Sequence, residues 1–214
     1  MKKIILSLSL ILALACNANA ASVVPDRVMT DYPNTYGIYQ VDHQIIVYSE
    51  PDEKSEIKQK IVWTKDTVIP QNLTKADLFV VYLENNDFGL MSVTDETEDW
   101  VEVIYNNETG DKGWIKKVDP YKFNTWVNFY SMYGKKYGLK ILKGAPESIN
   151  HMYGSPEDDA RAICAVTQPE YINLNIIKGN WMLVTVIDAD RTPKTGYMRW
   201  RSDTGIKYMF PNLK

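Results

Sequence analysis

The stretch VYSEPDEKSEI (47–57), followed by WVEV (100–103) and GWIKK (113–117), returns later as MYGSPEDDARAI (152–163), WMLVTV (181–186) and GYMRWR (196–201). Tyr48 corresponds to Tyr153, Pro51 to Pro156, Ile57 approximately to Ile163, Trp100 to Trp181, and Gly113-Trp114 to Gly196-Tyr197. An ordered set of landmarks met twice marks two copies of one structural unit. The residues around the landmarks are β formers. Ile45, Ile46, Val47 and Tyr48 are branched or aromatic, and Ser49-Glu50-Pro51-Asp52 breaks the run. Residues 172–176 alternate with period two, and Gly179-Asn180 is a turn before the strand at 181–187. The segment 106–112, with Gly110, reads as a hairpin turn returning into Gly113-Trp114-Ile115.

The copies differ in length. Pro51 precedes Trp100 by 49 residues, whereas Pro156 precedes Trp181 by 25, so the first copy carries 24 more. The extra residues fall at about 75–98, and the apolar runs 78–83 and 88–93 make them an inserted hairpin. Between the copies, Asp119-Pro120 has the form of a helix start with Pro at the first helical position. Phe123, Trp126, Phe129 or Tyr130, and Tyr133 follow at helical spacing, and Gly134 is the expected stop. The chain divides accordingly into a leader at 1–20, an extended lead-in at 21–35, a first unit at 36–118, a connecting helix at 119–136 and a second unit at 137–214.

The leader has Lys2 and Lys3, a short apolar run at 4–15 and the small-x-small site Ala18-Asn19-Ala20, the form of a secretory signal peptide. The alternative is lipidation at Cys16, which follows Ala13-Leu14-Ala15. No later run approaches the roughly 20 apolar residues of a membrane helix. The expected location is therefore periplasmic or secreted, with lipid anchoring through Cys16 as the alternative. Loss of Lys2 and Lys3 leaves 22 basic residues against 27 acidic ones. Such an acidic chain is poorly suited to neutralising phosphates, so nucleic acid is not an expected partner. After cleavage Cys164 is the one remaining cysteine, flanked by Ile163, Ala165 and Val166, and reads as a small buried hydrophobe.

A Tyr-containing strand with a Pro turn, then Trp-x-x-Val, then Gly-Trp-Ile resembles the bacterial SH3-like (SH3b) domain. WVEV with GWIKK carries the resemblance well. WMLVTV with GYMRWR carries it more loosely, because Tyr197 stands where the family usually has Trp. The resemblance implies a mainly β protein made of two small SH3-like barrels joined by a short helix. It also implies a non-catalytic role in targeting cell-wall material or envelope partners.

The residues themselves point the same way on catalysis. Neither His43 nor His151 stands in a metal-binding spacing, and no nucleophile-elbow or phosphate-loop motif occurs. The acidic clusters at 95–99 and 157–159 lack a calcium-loop pattern and read as solvated turns. Asn72-Leu73-Thr74 and Asn107-Glu108-Thr109 match glycosylation sequons without further meaning in such a chain. No catalytic residue, metal or cofactor is expected. Aromatic faces stack on sugars and pack on peptide stems, which makes Tyr48, Trp114, Tyr153, Tyr197 and Trp200 the candidate ligand-binding residues. Trp100 and Trp181 are assigned to the core. The expected function is binding of cell-wall (peptidoglycan-type) material through aromatic grooves. The alternative is an envelope scaffold that docks a partner chain through the inserted hairpin or a sheet edge.

Overall fold

The computed structural model describes residues 22–29, 34–167, 169–189 and 191–213. The leader, its cleavage site and Cys16 lie outside the described residues. Among the described residues no helix is long and apolar enough to cross a membrane.

The chain is mainly β, in two antiparallel sheets that follow one another in sequence. The first sheet is built from β1 (Gly37–Val41), β2 (Gln44–Tyr48), β3 (Ile57–Trp63), β4 (Val68–Ile69), β5 (Val81–Leu83), β6 (Phe88–Glu96), β7 (Trp100–Asn106), β8 (Asp111–Lys116) and β9 (Asn124–Thr125). Its strand order is β4-β3-β2-β8-β7-β6-β1-β9, with β5 paired to β6. The second sheet is built from β10 (Leu139–Ile141), β11 (His151–Tyr153), β12 (Ala162–Ala165), β13 (Pro169–Lys178), β14 (Trp181–Asp188), β15 (Pro193–Arg199) and β16 (Met209–Pro211). Its order is β12-β11-β15-β14-β13-β10-β16. Without β4 and β5, the first order maps onto the second strand for strand. The repeated landmarks therefore reflect a repeated topology. Among the described residues neither hydrogen-bonded path closes on itself, so each unit is an open sheet and not the closed barrel expected.

Strand equivalence also moves the extra segment of the first unit. β6 corresponds to β13 and belongs to the shared plan, and the added residues are those between β3 and β6, at 64–87. They do not begin with a strand at 78. Residues Lys75–Leu78 form a helical turn, α1, and the strand starts only at Val81. The cause is local. The Thr74 hydroxyl accepts from the Asp77 amide while the Asp77 carboxylate accepts from the Thr74 amide at 2.7 Å, a reciprocal cap.

The connecting helix is also displaced from its expected start. Residues 117–123 are non-helical, with a turn at Asp119-Pro120. The helix begins after Thr125, whose Oγ1 accepts from the Asn128 amide at 3.2 Å. It runs through α2 (Trp126–Phe129) and a π-type turn (Tyr130–Gly134) into α3 (Lys135–Tyr137). Gly134 does not stop it. Gly138 does, at φ +75°, a backbone geometry that glycine adopts without steric cost.

Alternation in the strands builds two cores. Tyr39, Val41, Ile45, Val47, Ile61, Met91, Val93, Val101, Val103 and Ile115 meet inside the first sheet. β1 and β3 lie far apart in the strand order, yet their side chains share this cluster, so the sheet wraps around it. The other core joins both halves. Ile38, Val81 and Leu90, from the outer face of the first sheet, pack with Trp126, Phe129 and Tyr130 and with Leu174, Met182, Val184, Met198 and Trp200. β1 is thus buried on both faces.

Candidate functional site

β2 and β8 meet at one register position, Tyr48 opposite Trp114, beside a bulge at Val47/Tyr48. The inward residues of these strands are Ile45, Val47 and Ile115, so Tyr48 and Trp114 fall on the outward set, and both are half-buried. Trp100, on the outward set of β7, meets the Tyr48 ring edge-on, with centroids 5.5 Å apart. The second unit repeats the arrangement. Tyr153 lies opposite Tyr197, and Trp181 meets Tyr153 edge-on at 5.4 Å. Trp100 and Trp181 are buried, at 9% and 8% exposure, but under Tyr48 and Tyr153 on the outward face and in neither of the two core clusters, which corrects their assignment to the core.

Four of the five candidate residues therefore form two equivalent pairs. The fifth does not. Trp200 is fully buried, its Nε1 donating to the Gly179 carbonyl at 3.0 Å and its ring 4.5 Å from Tyr130. It continues the inward set of Gly196 and Met198 just past the end of β15, which places it in the core and not in a groove.

The two aromatic sets have different surroundings. In the second unit the Arg199 guanidinium lies 5.8 Å over Trp181 and the Lys178 ammonium 5.9 Å over Tyr197. Arg199 is fixed there by Asp158 and Asp203, each at 2.6 Å. In the first unit Tyr48 borders a cavity of about 220 Å3 at the seam between β1, β2 and β8. Its apolar wall includes Tyr39, Ile45, Ile46, Ile115 and Tyr121, and Asp42, Gln44, Glu53 and Lys116 supply polar groups. Lys116 and Glu53 pair at 2.7 Å, and this bond holds the ammonium above its ordinary lysine range. Tyr39 is anchored by its hydroxyl, which accepts from the Val118 amide at 2.7 Å. Burial raises its phenol above the ordinary range. Tyr39 and Tyr121 carry no signal in the sequence, because neither belongs to the repeated motifs.

The cavity can accept an apolar or planar group against Tyr48 and Tyr121 while Gln44, Glu53 and Lys116 meet polar substituents. Elsewhere, the register Met152 opposite Cys164 and His151 opposite Ala165 sets His151 and Cys164 on opposite faces of the β11–β12 pair. Among the described residues, no group of three or more His, Cys, Asp or Glu side chains could hold a metal ion. In comparison with known proteins, the chain matches no family model, and no curated protein matches its sequence.

Proposed function

We propose that this is a non-catalytic binding protein of the cell envelope, secreted or periplasmic, with two units of SH3-like plan. Its first unit would hold cell-wall (peptidoglycan-type) material in the cavity beside Tyr48. The observation that carries this reading is the half-buried Tyr48, paired across strands with Trp114, at the edge of an apolar cavity with a polar rim. Pockets that engulf a drug-sized molecule run to roughly 300–1,000 Å3. At about 220 Å3 this one suits a single unit of a polymer, one sugar ring or one stem-peptide residue. Stacking on Tyr48 and hydrogen bonds to Gln44, Glu53 and Lys116 would supply the affinity, with no covalent step.

Sedimentation with purified peptidoglycan sacculi tests the reading. The mature protein is expected in the pellet, and Tyr48→Ala is expected to weaken binding about tenfold, the equivalent of about 1.4 kcal/mol. Protein that stays wholly in the supernatant sinks the proposal. The competing reading is a scaffold that takes an extended partner segment at the free edge of β12. It is favoured by the first unit, where the equivalent strand β3 is covered by β4 through Val62–Ile69 and Trp63–Val68 pairing. That reading predicts co-purification of an envelope protein, lost when Ile163→Lys is introduced and kept in Tyr48→Ala.

A further inference from the structure

The last hairpin of the chain sets two cations directly opposite each other. Arg201 and Lys207 are bridge partners on its two arms, closed by Tyr208 N–H to Trp200 O at 2.7 Å and Ser202 N–H to Ile206 O at 2.8 Å. Like charges opposed across strands repel. Here the repulsion is aggravated by burial, because Lys207 is only 6% exposed. A buried ammonium ordinarily has a carboxylate beside it. The Lys207 ammonium instead donates to Thr35 Oγ1 at 2.9 Å and lies 4.4 Å over the Trp126 ring. Desolvation and the neighbouring Arg201 bring it down to about 7.

Arg201 is similarly placed. Its Nε donates to Asn180 Oδ1 at 2.7 Å, and its guanidinium lies 4.7 Å over the Trp200 ring. The nearby carboxylate, Asp203, already accepts from Arg199 at 2.6 Å and from Asn180 Nδ2 at 2.8 Å. Thr35 Oγ1 accepts twice, from Lys207 and from Trp126 Nε1 at 2.9 Å, so its own proton points to a further acceptor. A cavity of about 410 Å3 opens at this point, lined by Thr35, Asn180 and Arg201 and also by Asp203, whose Oδ1 is held by Arg199 and Asn180.

We infer that this cavity binds an oxyanion, a carboxylate or phosphate group carried by a larger ligand. Arg201 would offer its forked donors, Thr35 its hydroxyl proton, and Lys207 a second positive charge from behind. The anion would supply the negative charge that the two facing cations lack. The site shares no residue with the cavity beside Tyr48.

Thermal melts and titration calorimetry of the mature protein test this, with inorganic phosphate and acetate as separate probes and chloride holding the ionic strength fixed. At about five times the dissociation constant, the better probe is expected to raise Tm by roughly 2–4 °C. With acetate, which carries a single charge at both pH values, the rise should be larger at pH 6 than at pH 9, since Lys207 loses its charge above about 7. Preference for acetate identifies a carboxylate group, and preference for phosphate identifies a phosphate group. Arg201→Gln is expected to lose the shift, and Arg201→Lys, which keeps the charge without the fork, to bind at least tenfold more weakly. No saturable heat with either probe on the unsubstituted protein overturns the inference, whatever the variants do. So does an equal Tm shift in Arg201→Gln.

Discussion

Gly113 and Gly196 hold equivalent places in the two units, and their surroundings explain the motif that contains them. A Cβ on Gly113 would lie 2.5 Å from Val47 Cγ1 and 2.8 Å from the Tyr48 carbonyl oxygen. On Gly196 the nearest atoms are at 3.1–3.2 Å, namely Ile163 Cδ1, Met152 Cβ and the Tyr153 carbonyl oxygen. The glycine exists because β8 crosses close over β2, and β15 over β11. Overpacking of this kind costs about 1–3 kcal/mol, while Gly→Ala at a tolerant site gains about 0.4–1 kcal/mol from the unfolded chain. Gly113→Ala is expected to lose about 1–3 kcal/mol in urea unfolding, and Gly196→Ala to be within about 1 kcal/mol of neutral. A neutral Gly113→Ala contradicts the close crossing. Lys207 gives a second expectation at this scale. Its ammonium, at about 7 in the folded state against 10.5 for an ordinary lysine, binds fewer protons folded than unfolded through that window. Stability should therefore rise from pH 7 toward pH 9.5. It should fall again above about 10, where Tyr82 and Tyr130, both raised by burial, keep protons that the unfolded chain releases. Lys207→Met should flatten the rise between pH 7 and 9.5; an unchanged rise in that variant would assign it elsewhere.

Elements were readable where alternation and turn chemistry agreed. β13 alternates with period two, and β2, β7, β8 and β14 are runs rich in branched and aromatic residues bounded on at least one side by Pro, Asn or Gly signals; all five form near the expected places. The run at 78–83 has no period, so its apolar content could not separate the end of α1 from β5; Thr74 and Asp77, spaced as a cap, were the signal that could have done so. Asp119-Pro120 matched one helix-start rule, but Thr125 supplies the actual cap. The same alternation would have corrected Trp200. It falls two residues after Met198, on the inward side, while Tyr197 falls outward. The Tyr48–Trp114 and Tyr153–Tyr197 pairs were prefigured by the repeated landmarks. The cavity was not, because Tyr39, Ile45, Ile115 and Tyr121 converge only once β1, β2 and β8 curl around the inner core. The Arg201–Lys207 site was hidden for a related reason, since Thr35 lies 172 residues before Lys207 and reaches it only through tertiary packing.

At the scale of the molecule, the two sheets repeat one topology but are not joined by a helix alone. The core that contains Trp126, Phe129 and Tyr130 takes Ile38, Val81 and Leu90 from the first sheet and Leu174, Val184 and Met198 from the second. The lead-in adds a further tie. Val23 exchanges backbone hydrogen bonds with Tyr82 at 2.8 Å in both directions. Five residues on, the Val28 amide donates to the Lys143 carbonyl at 3.0 Å, and Asp26 pairs with the Lys143 ammonium at 3.1 Å. One short strap thus touches both halves. Separate small domains would unfold as separate events, whereas halves that share a core and a strap lose both together. Calorimetry is expected to give a single transition with equal calorimetric and van't Hoff enthalpies. Trp126 sits at the junction, 3% exposed, with its ring 5.7 Å from Phe129 and 6.4 Å from Phe210. Trp126→Ala should cost about 3–5 kcal/mol and move the whole transition down by on the order of 10 °C. Two resolved transitions in the unsubstituted protein, or a Trp126→Ala variant in which only one of two peaks shifts, would show that the shared core does not couple the units.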